Sequence, residues 1–296
     1  RLIRVTEGSG TTARNTDYGY DANSYLETVT DAMSRTVRFT RDVDGRVMST
    51  TLPDGRVVSA TYDANSNLLT LTPPGRPAHS FTYDSRDLTE QYTPPAANPG
   101  GPTGYAWNAD MQPTVTTRPD GDVITSGYDL AGRLQTLTIP RGSFGYGYDS
   151  GTGKLSSVTG PGGFSRAYGY QGALLSSLSS GGPVSGSAAW TYDNNFRTTA
   201  RTVNGANPLS FGYDADGLVT AVGSMALTRN FFNGLLTGTT LGSVTDSLTY
   251  STFGEVSSYV ARLSGSPIYS ESYVRDNLGR ITQRTEVLQG VTTVWG

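Results

Sequence analysis

The chain has no cysteine and a single histidine in 296 residues. Without thiols there is no disulfide, no thiolate metal site and no cysteine nucleophile. A Ser-His-Asp relay would have to use His79, which follows a proline–glycine turn in Arg76-Pro77-Ala78-His79-Ser80. A lone histidine there reads as a surface loop residue, and the chain is expected not to be an enzyme. Lysine is almost missing as well: Lys154 is the only one, and 22 basic against 25 acidic residues leave a net charge of −3. With Arg46, Arg56, Arg133 and Arg280 scattered along the chain, there is no basic stripe for nucleic acid, and each arginine is expected to face solvent or pair with a nearby aspartate. No apolar run approaches the ~18 residues of a helical membrane span. No window keeps a helical period without a glycine or proline interrupting it.

Side chains able to fill a core are scarce too. The hydrophobic fraction is 35%, glycine supplies 37 residues, and the mean hydropathy is −0.34. An ordinary globular domain reaches roughly 45–50% apolar with glycine included, and glycine has nothing to bury. A thin sheet with Tyr and Leu stripes needs less of that material than a ball.

What the chain has in abundance is a beat. Tyr20-Asp21, Tyr62-Asp63, Tyr83-Asp84, Tyr128-Asp129, Tyr148-Asp149, Tyr192-Asp193 and Tyr213-Asp214 are intact copies of one pair. Degenerate copies fall in register at Arg41-Asp42, Trp107-Asn108, Tyr170-Gln171, Asn230-Phe231, Tyr250-Ser251 and Arg275-Asp276. That makes thirteen repeats, typically 21 residues apart and ranging from 17 to 25. A fixed period of this size marks an array whose units are stabilised by their neighbours.

Six residues after the aromatic comes an aliphatic residue, as at Leu26, Val47, Leu68, Leu134, Val219, Leu236, Val256 and Ile281. Between them lie turn-formers such as Asp129-Leu130-Ala131-Gly132 and Asp214-Ala215-Asp216-Gly217. Aspartate caps its own backbone and glycine accepts positive φ, so these are hairpin turns. A second punctuation follows, as in Pro53-Asp54-Gly55, Pro74-Gly75, Pro94-Pro95, Pro119-Asp120-Gly121 and Pro140-Arg141-Gly142. The six-residue stretches between, rich in Thr, Val, Leu and Tyr, read as strands. One repeat is one hairpin, and the fold expected is all-β: about 26 antiparallel strands, roughly 125 Å wide if flat, which accumulated twist forces to coil, close or split. The alternation is too irregular to assign the two faces of each strand.

Other chemistry is weakly signalled. Asp42/Asp44 and Asp214/Asp216 each precede a glycine, but the remaining ligands of a calcium loop are missing and turn capping accounts for them. Gly145-Tyr146-Gly147-Tyr148 lacks the strand-to-helix context of a phosphate loop. No metal or cofactor is expected. The tyrosines could stack sugars; the preferred reading is that their rings lie along the sheet and knit successive repeats.

Tyr128-Asp129-Leu130-Ala131-Gly132-Arg133-Leu134 resembles the YD-repeat signature of the rearrangement-hot-spot (RHS) family, as do Asp42-Val43-Asp44-Gly45-Arg46-Val47 and Asp276-Asn277-Leu278-Gly279-Arg280-Ile281. The resemblance runs in register over essentially the whole chain. It implies a β-sheet spiral enclosing a hollow shell, as in bacterial secreted toxins and insecticidal toxin complexes, with animal relatives in adhesion. It therefore implies a wall around a polypeptide toxin cargo, secreted or at the bacterial cell surface. The family's core-associated segment, with Asp-Pro-x-Gly and Asn-Asn-Pro-rich signatures, is not found here. Residues 1–296 are expected to be one continuous array, a fragment of a longer shell. The second reading is a cell-surface or filament-forming protein, self-assembling through its terminal strand edges or binding glycans.

Overall fold

A computed structural model describes residues 1–10, 13–95 and 100–296. Among these are 28 strands and one 3-10 turn at Pro161–Gly163. The chain divides into two compact units, one of Tyr18–Thr30 with Arg35–Gly186, the other of Arg1–Asp17, Asp31–Ser34 and Ser187–Gly296. Within each unit the strands pair antiparallel with their neighbours in sequence. The expected all-β array of tandem hairpins is what the chain forms. Its strand count exceeds the expectation by two, because β1 (Arg4–Glu7) and β28 (Val291–Trp295) flank the thirteen aromatic–aspartate turns.

Strand boundaries follow the beat. In the first unit β4 (Thr36–Arg41) ends on Arg41 and β5 (Val47–Thr51) begins on Val47. Likewise β6 (Val57–Tyr62) gives way to β7 (Leu68–Thr72), and β12 (Val123–Tyr128) to β13 (Leu134–Ile139). In the second, β20 (Ala206–Tyr213) precedes β21 (Val219–Val222), and β26 (Ser266–Arg275) precedes β27 (Ile281–Leu288). Two repeats depart. β16 (Ser165–Gln171) runs through Tyr170-Gln171 and turns within two residues into β17 (Leu174–Gly181). β22 (Met225–Arg229) ends on Arg229, so the pair lies at Arg229-Asn230, one residue earlier than Asn230-Phe231. The amide oxygen of Asn230 accepts from the Phe232 N–H at 2.9 Å, which puts Asn230 in the aspartate's place.

The turn at Asp129 shows why aspartate and glycine recur. Its Oδ1 accepts from the N–H groups of Ala131 and Arg133, both at 2.9 Å. Its own N–H donates to the Arg133 carbonyl, and the Gly132 N–H donates to the Asp129 carbonyl. The chain reverses at Gly132 with φ 75°. In the five-residue turns the residue three after the cap takes this left-handed conformation, as at Gly45, Gly217 and Gly279 but also Ser66 and Phe196; in the longer Asp149 and Asn230 turns it is the fourth, Gly153 and Gly234. A side chain there costs about 1 kcal/mol relative to glycine.

The ladder register sorts the strands' residues onto two faces. In the first unit Phe39, Val58, Leu71, Phe81, Tyr92, Tyr105, Leu137, Tyr146 and Val158 share one face. The opposite face pairs Thr40 with Ser49, Ser59 with Thr72, Thr61 with Thr70, Thr125 with Thr138, and Gly147 with Ser157. On that second face a bulge precedes each closing aromatic. A Cβ on Gly127 would lie 2.4 Å from Thr136 Oγ1, and one on Gly169 2.2 Å from Ser177 Oγ. Where threonine replaces the glycine, the two hydroxyls bond instead, as in Thr61–Thr70 at 2.6 Å. Of the described apolar residues only Val158 is buried. The sheet is a wall one residue thick on each side.

Candidate functional site

With no core to hold it, the array depends on what joins one repeat to the next. The closing tyrosine supplies the main link. Its hydroxyl donates to the carbonyl of the residue that opens the second strand of the preceding repeat. Tyr62 reaches Val47 at 3.1 Å, Tyr83 Leu68 at 2.9 Å and Tyr128 Pro113 at 2.9 Å. Tyr148 reaches Leu134 at 2.8 Å, Tyr170 Leu155 at 2.9 Å, Tyr213 Thr198 at 2.8 Å and Tyr250 Leu236 at 2.6 Å. Trp107 does the same through Nε1 to Thr89 at 2.8 Å. A phenol laid along the sheet bonds best where it finds a partner, and a carbonyl next to a turn has a spare lone pair.

The second link is the residue after the turn glycine. Arg133 donates Nε to Asp129 Oδ2 at 2.8 Å, and its guanidinium lies 4.3 Å from the centre of the Tyr148 ring in the following repeat. Arg46 over Tyr62 and Arg197 over Tyr213 repeat this arrangement. Lys154 stands over Tyr170 and bonds the Gly172 carbonyl. Arg46 Nη1 also reaches the Asp63 carbonyl at 2.8 Å. Each cation thus belongs to its own turn, the next ring and, in several repeats, the next turn.

Three degenerate repeats close on arginine and reach the same target. Arg41 Nη2 donates to the Leu26 carbonyl and Nη1 to Gly45. Arg229 donates to Val219 and Gly234, and Arg275 to Val256 and Gly279. The guanidinium, with five donors, serves the neighbour and its own turn at once. The Arg41 Nε is left buried without a partner.

The remaining signature residues sit at the same stations. Asp21 Oδ1 accepts from the Tyr25 N–H at 2.9 Å; Tyr20 and Tyr192 end their strands β2 (Arg14–Tyr20) and β18 (Gly186–Tyr192). Asp193 holds Arg197, Asp214 caps Asp216 and Leu218, and Arg280 pairs with Asp276 at 2.7 Å. Gly217 and Gly279 turn the chain at φ 81° and 78°.

The turn carboxyls are tuned by this geometry. The Arg133 guanidinium and then its backbone N–H hold Asp129 below its ordinary value. Arg280 does the same for Asp276, Arg86 for Asp84, the Asn67 amide for Asp63 and the Thr152 hydroxyl for Asp149, each against some desolvation. In the opposite direction, burial and then the Asp63 charge raise Tyr83.

Other expectations are placed as follows. His79 opens β8 (His79–Tyr83) rather than lying in a surface loop. Its ring stacks on Tyr92 at 5.9 Å and its Nδ1 is 2.7 Å from the Tyr92 hydroxyl. Asp42 is engaged by Arg46 and the Asp44 N–H, and no group of three metal-ligating side chains forms among the described residues. Gly145-Tyr146-Gly147-Tyr148 lies inside the strand β14 (Gly142–Tyr148). No helix among the described residues is long and apolar enough to cross a membrane.

One contact had no local signal. Arg14, at the start of β2, forms a bidentate pair with Glu255 at 2.7 and 3.1 Å, and lies 3.8 Å from the centre of the Phe253 ring. Glu255 also faces Arg275 at 3.9 Å, and Arg280 Nη2 reaches the Met33 sulfur at 3.3 Å. Arg14 and Glu255 are 241 residues apart within one unit. Arg14 and then the Ser251 hydroxyl depress Glu255.

A family model described as Teneurin YD-shell matches residues 1–293. The structure is similar to that of TcdB2-TccC3, with a TM-score of 0.74 and 14% identity over 95% of this chain and 18% of that one. It is also similar to a Photorhabdus luminescens Tc holotoxin pore carrying a TccC3 substitution, at TM-score 0.73 and 13% identity over 92% of this chain and 18% of that one. The chain therefore spans under a fifth of the length of these structures, and at such identity the likeness is one of fold. No curated protein matches it.

Proposed function

From a chain that belongs to the Teneurin YD-shell family, we propose a structural role without catalysis: a segment of wall that shelters a polypeptide, of the toxin class, until release. The observation that carries this reading is the sheet itself, two-faced and without a core, in which Val158 is the only buried apolar side chain among the described residues. Such a sheet separates one space from another. A face of Ser, Thr and Gly offers an enclosed chain hydroxyls but little apolar area, so it shelters without imposing a fold. Within one unit, Arg14 and Glu255 join segments 241 residues apart in the chain. The TcdB2-TccC3 and Tc holotoxin likenesses support cargo of the toxin kind and a secreted setting. Proteinase K digestion of the full-length protein tests it. A non-repeat segment should resist cleavage until the denaturant concentration at which the array unfolds. Cleavage of all non-repeat segments in the native protein as fast as in urea overturns the proposal, and an indefinite polymer on electron micrographs would favour a fibre.

A further inference from the structure

One stretch of the first unit breaks the repeat pattern on its apolar face. Two residues before the closing aromatic, the repeats on either side carry the cross-strand pairs Ala60–Leu71 and Ser126–Leu137. Between them, β8 pairs Phe81 with Tyr92 of β9 (Thr89–Thr93). Next, β10 (Thr103–Trp107) sets Tyr105 opposite Thr116 of β11 (Pro113–Thr117). The residue that opens the second strand changes as well: Leu68 and Leu134 give way here to Thr89 and Pro113. The short Thr89 lies opposite Tyr83, and the Trp107 indole reaches its carbonyl, so a slot stays open between the two rings. The result is a cup of about 690 Å³ walled by Phe81, Tyr83, Tyr105 and Trp107, with Tyr92 packed on Phe81 at 5.3 Å.

Single exposed rings are ordinary, whereas a concave cluster of them marks a binding surface. The cup's chemistry selects its ligand. No charged or amide side chain is among the described residues that line it. It therefore suits neither an ion nor a sugar, whose neighbouring hydroxyls call for planar polar partners. Its spacing selects further. Phe81 with Tyr83 and Tyr105 with Trp107 are two ring pairs on strands separated by one other, which sets them roughly 9.6 Å apart. A polyproline II helix repeats every three residues, about 9.3 Å, and proline has no N–H to strand on an apolar floor. Laid across the strands, such a helix brings prolines three apart onto successive ring pairs. The Tyr105 hydroxyl has no hydrogen-bond partner among the described residues and can donate to a peptide carbonyl. We propose that this cup binds a proline-rich segment of a separate protein in the polyproline II conformation. No run of prolines in this chain exceeds two, which is why the occupant is another chain. The site does not rest on the wall reading, since a fibre would carry the same cup.

The test titrates the full-length protein with a decaproline peptide by isothermal calorimetry, beside a glycine–serine peptide of equal length. Saturable binding is expected for decaproline alone. Thr89→Leu, which restores the residue of the repeats on either side and fills the slot, should weaken it about tenfold or more. Tyr105→Ser, which copies Ser126, should weaken it several-fold. Both substitutions are native to neighbouring repeats, and an unchanged urea midpoint checks that the array still folds. Absence of saturable decaproline binding, equal affinity in both variants, or equal binding of the glycine–serine peptide each overturns the proposal. Binding of maltohexaose that is lost in Thr89→Leu overturns it in favour of a sugar site. Protease protection of an enclosed segment does not depend on the cup, so the two proposals fail separately.

Discussion

The repeat closing on Tyr148 and the repeat closing on Arg275 solve one problem with different chemistry. Both must bind the carbonyl that opens the preceding repeat's second strand, Leu134 in one and Val256 in the other. Tyrosine does it with a single hydroxyl and leaves its ring as a platform for Arg133. Arginine does it with one arm, holds the Gly279 carbonyl with another and faces Glu255. What the array conserves is a donor at a fixed position, and the aromatic ring is one way of carrying it. The two kinds of repeat should then differ in how much depends on the closing residue.

The widest difference is expected from truncation. Arg275→Ala leaves two carbonyls and part of Glu255 without partners and should lower stability by about 3 kcal/mol, measured by urea denaturation. Tyr148→Phe removes one hydrogen bond and keeps the ring, for about 1 kcal/mol. Equal losses would break the comparison. Arg41→Tyr sharpens it: the new hydroxyl can still reach Leu26 but not Gly45, so the chain should fold with a loss of about 1 kcal/mol. A loss several times larger would mean that the guanidinium is needed for its charge. At the turn, Phe196→Gly should stabilise by about 0.5–1 kcal/mol, because Phe196 holds φ 64° where Gly132 holds 75° at little cost.

The smallest effect concerns pH. Asp129, Asp276, Asp84, Asp63 and Asp149 all have carboxyls held below their ordinary value. Such groups add stability above the unfolded aspartate pKa of about 3.9 and lose it as pH falls through the depressed values. The melting temperature should therefore fall below about pH 4, and Asp129→Asn should make that fall slightly shallower. A melting temperature that stays flat to pH 2.5 would remove these turns from the account.

The hairpins were legible because every device in them is local. Asp129, Gly132 and Leu134 lie within six residues, and a five-residue turn needs no distant partner. The misplacement at Asn230 has the same origin: Leu236 lies six residues after Asn230, but this turn is one residue longer than the one at Asp129, so the cap lies at Asn230 and the donor at Arg229. The faces were not legible, because the bulge before each closing residue resets the alternation and hides the threonine and serine face from a period-two reading. The two-residue turns at Asn204-Gly205 and Ser264-Gly265, with both residues at positive φ, carry recognised hairpin chemistry but fall outside the tyrosine beat.

What the sequence determined alone is therefore the repeat: where most strands stop, which residue caps the turn, and that a left-handed position follows within it. These follow from bonds between residues a few places apart, which a linear text displays. The tertiary structure alone decided which carbonyl each closing donor meets, and that Arg14 lies on Phe253 and Glu255. Those contacts depend on how twist accumulates over many strands, a sum of small angles that no single stretch of sequence contains.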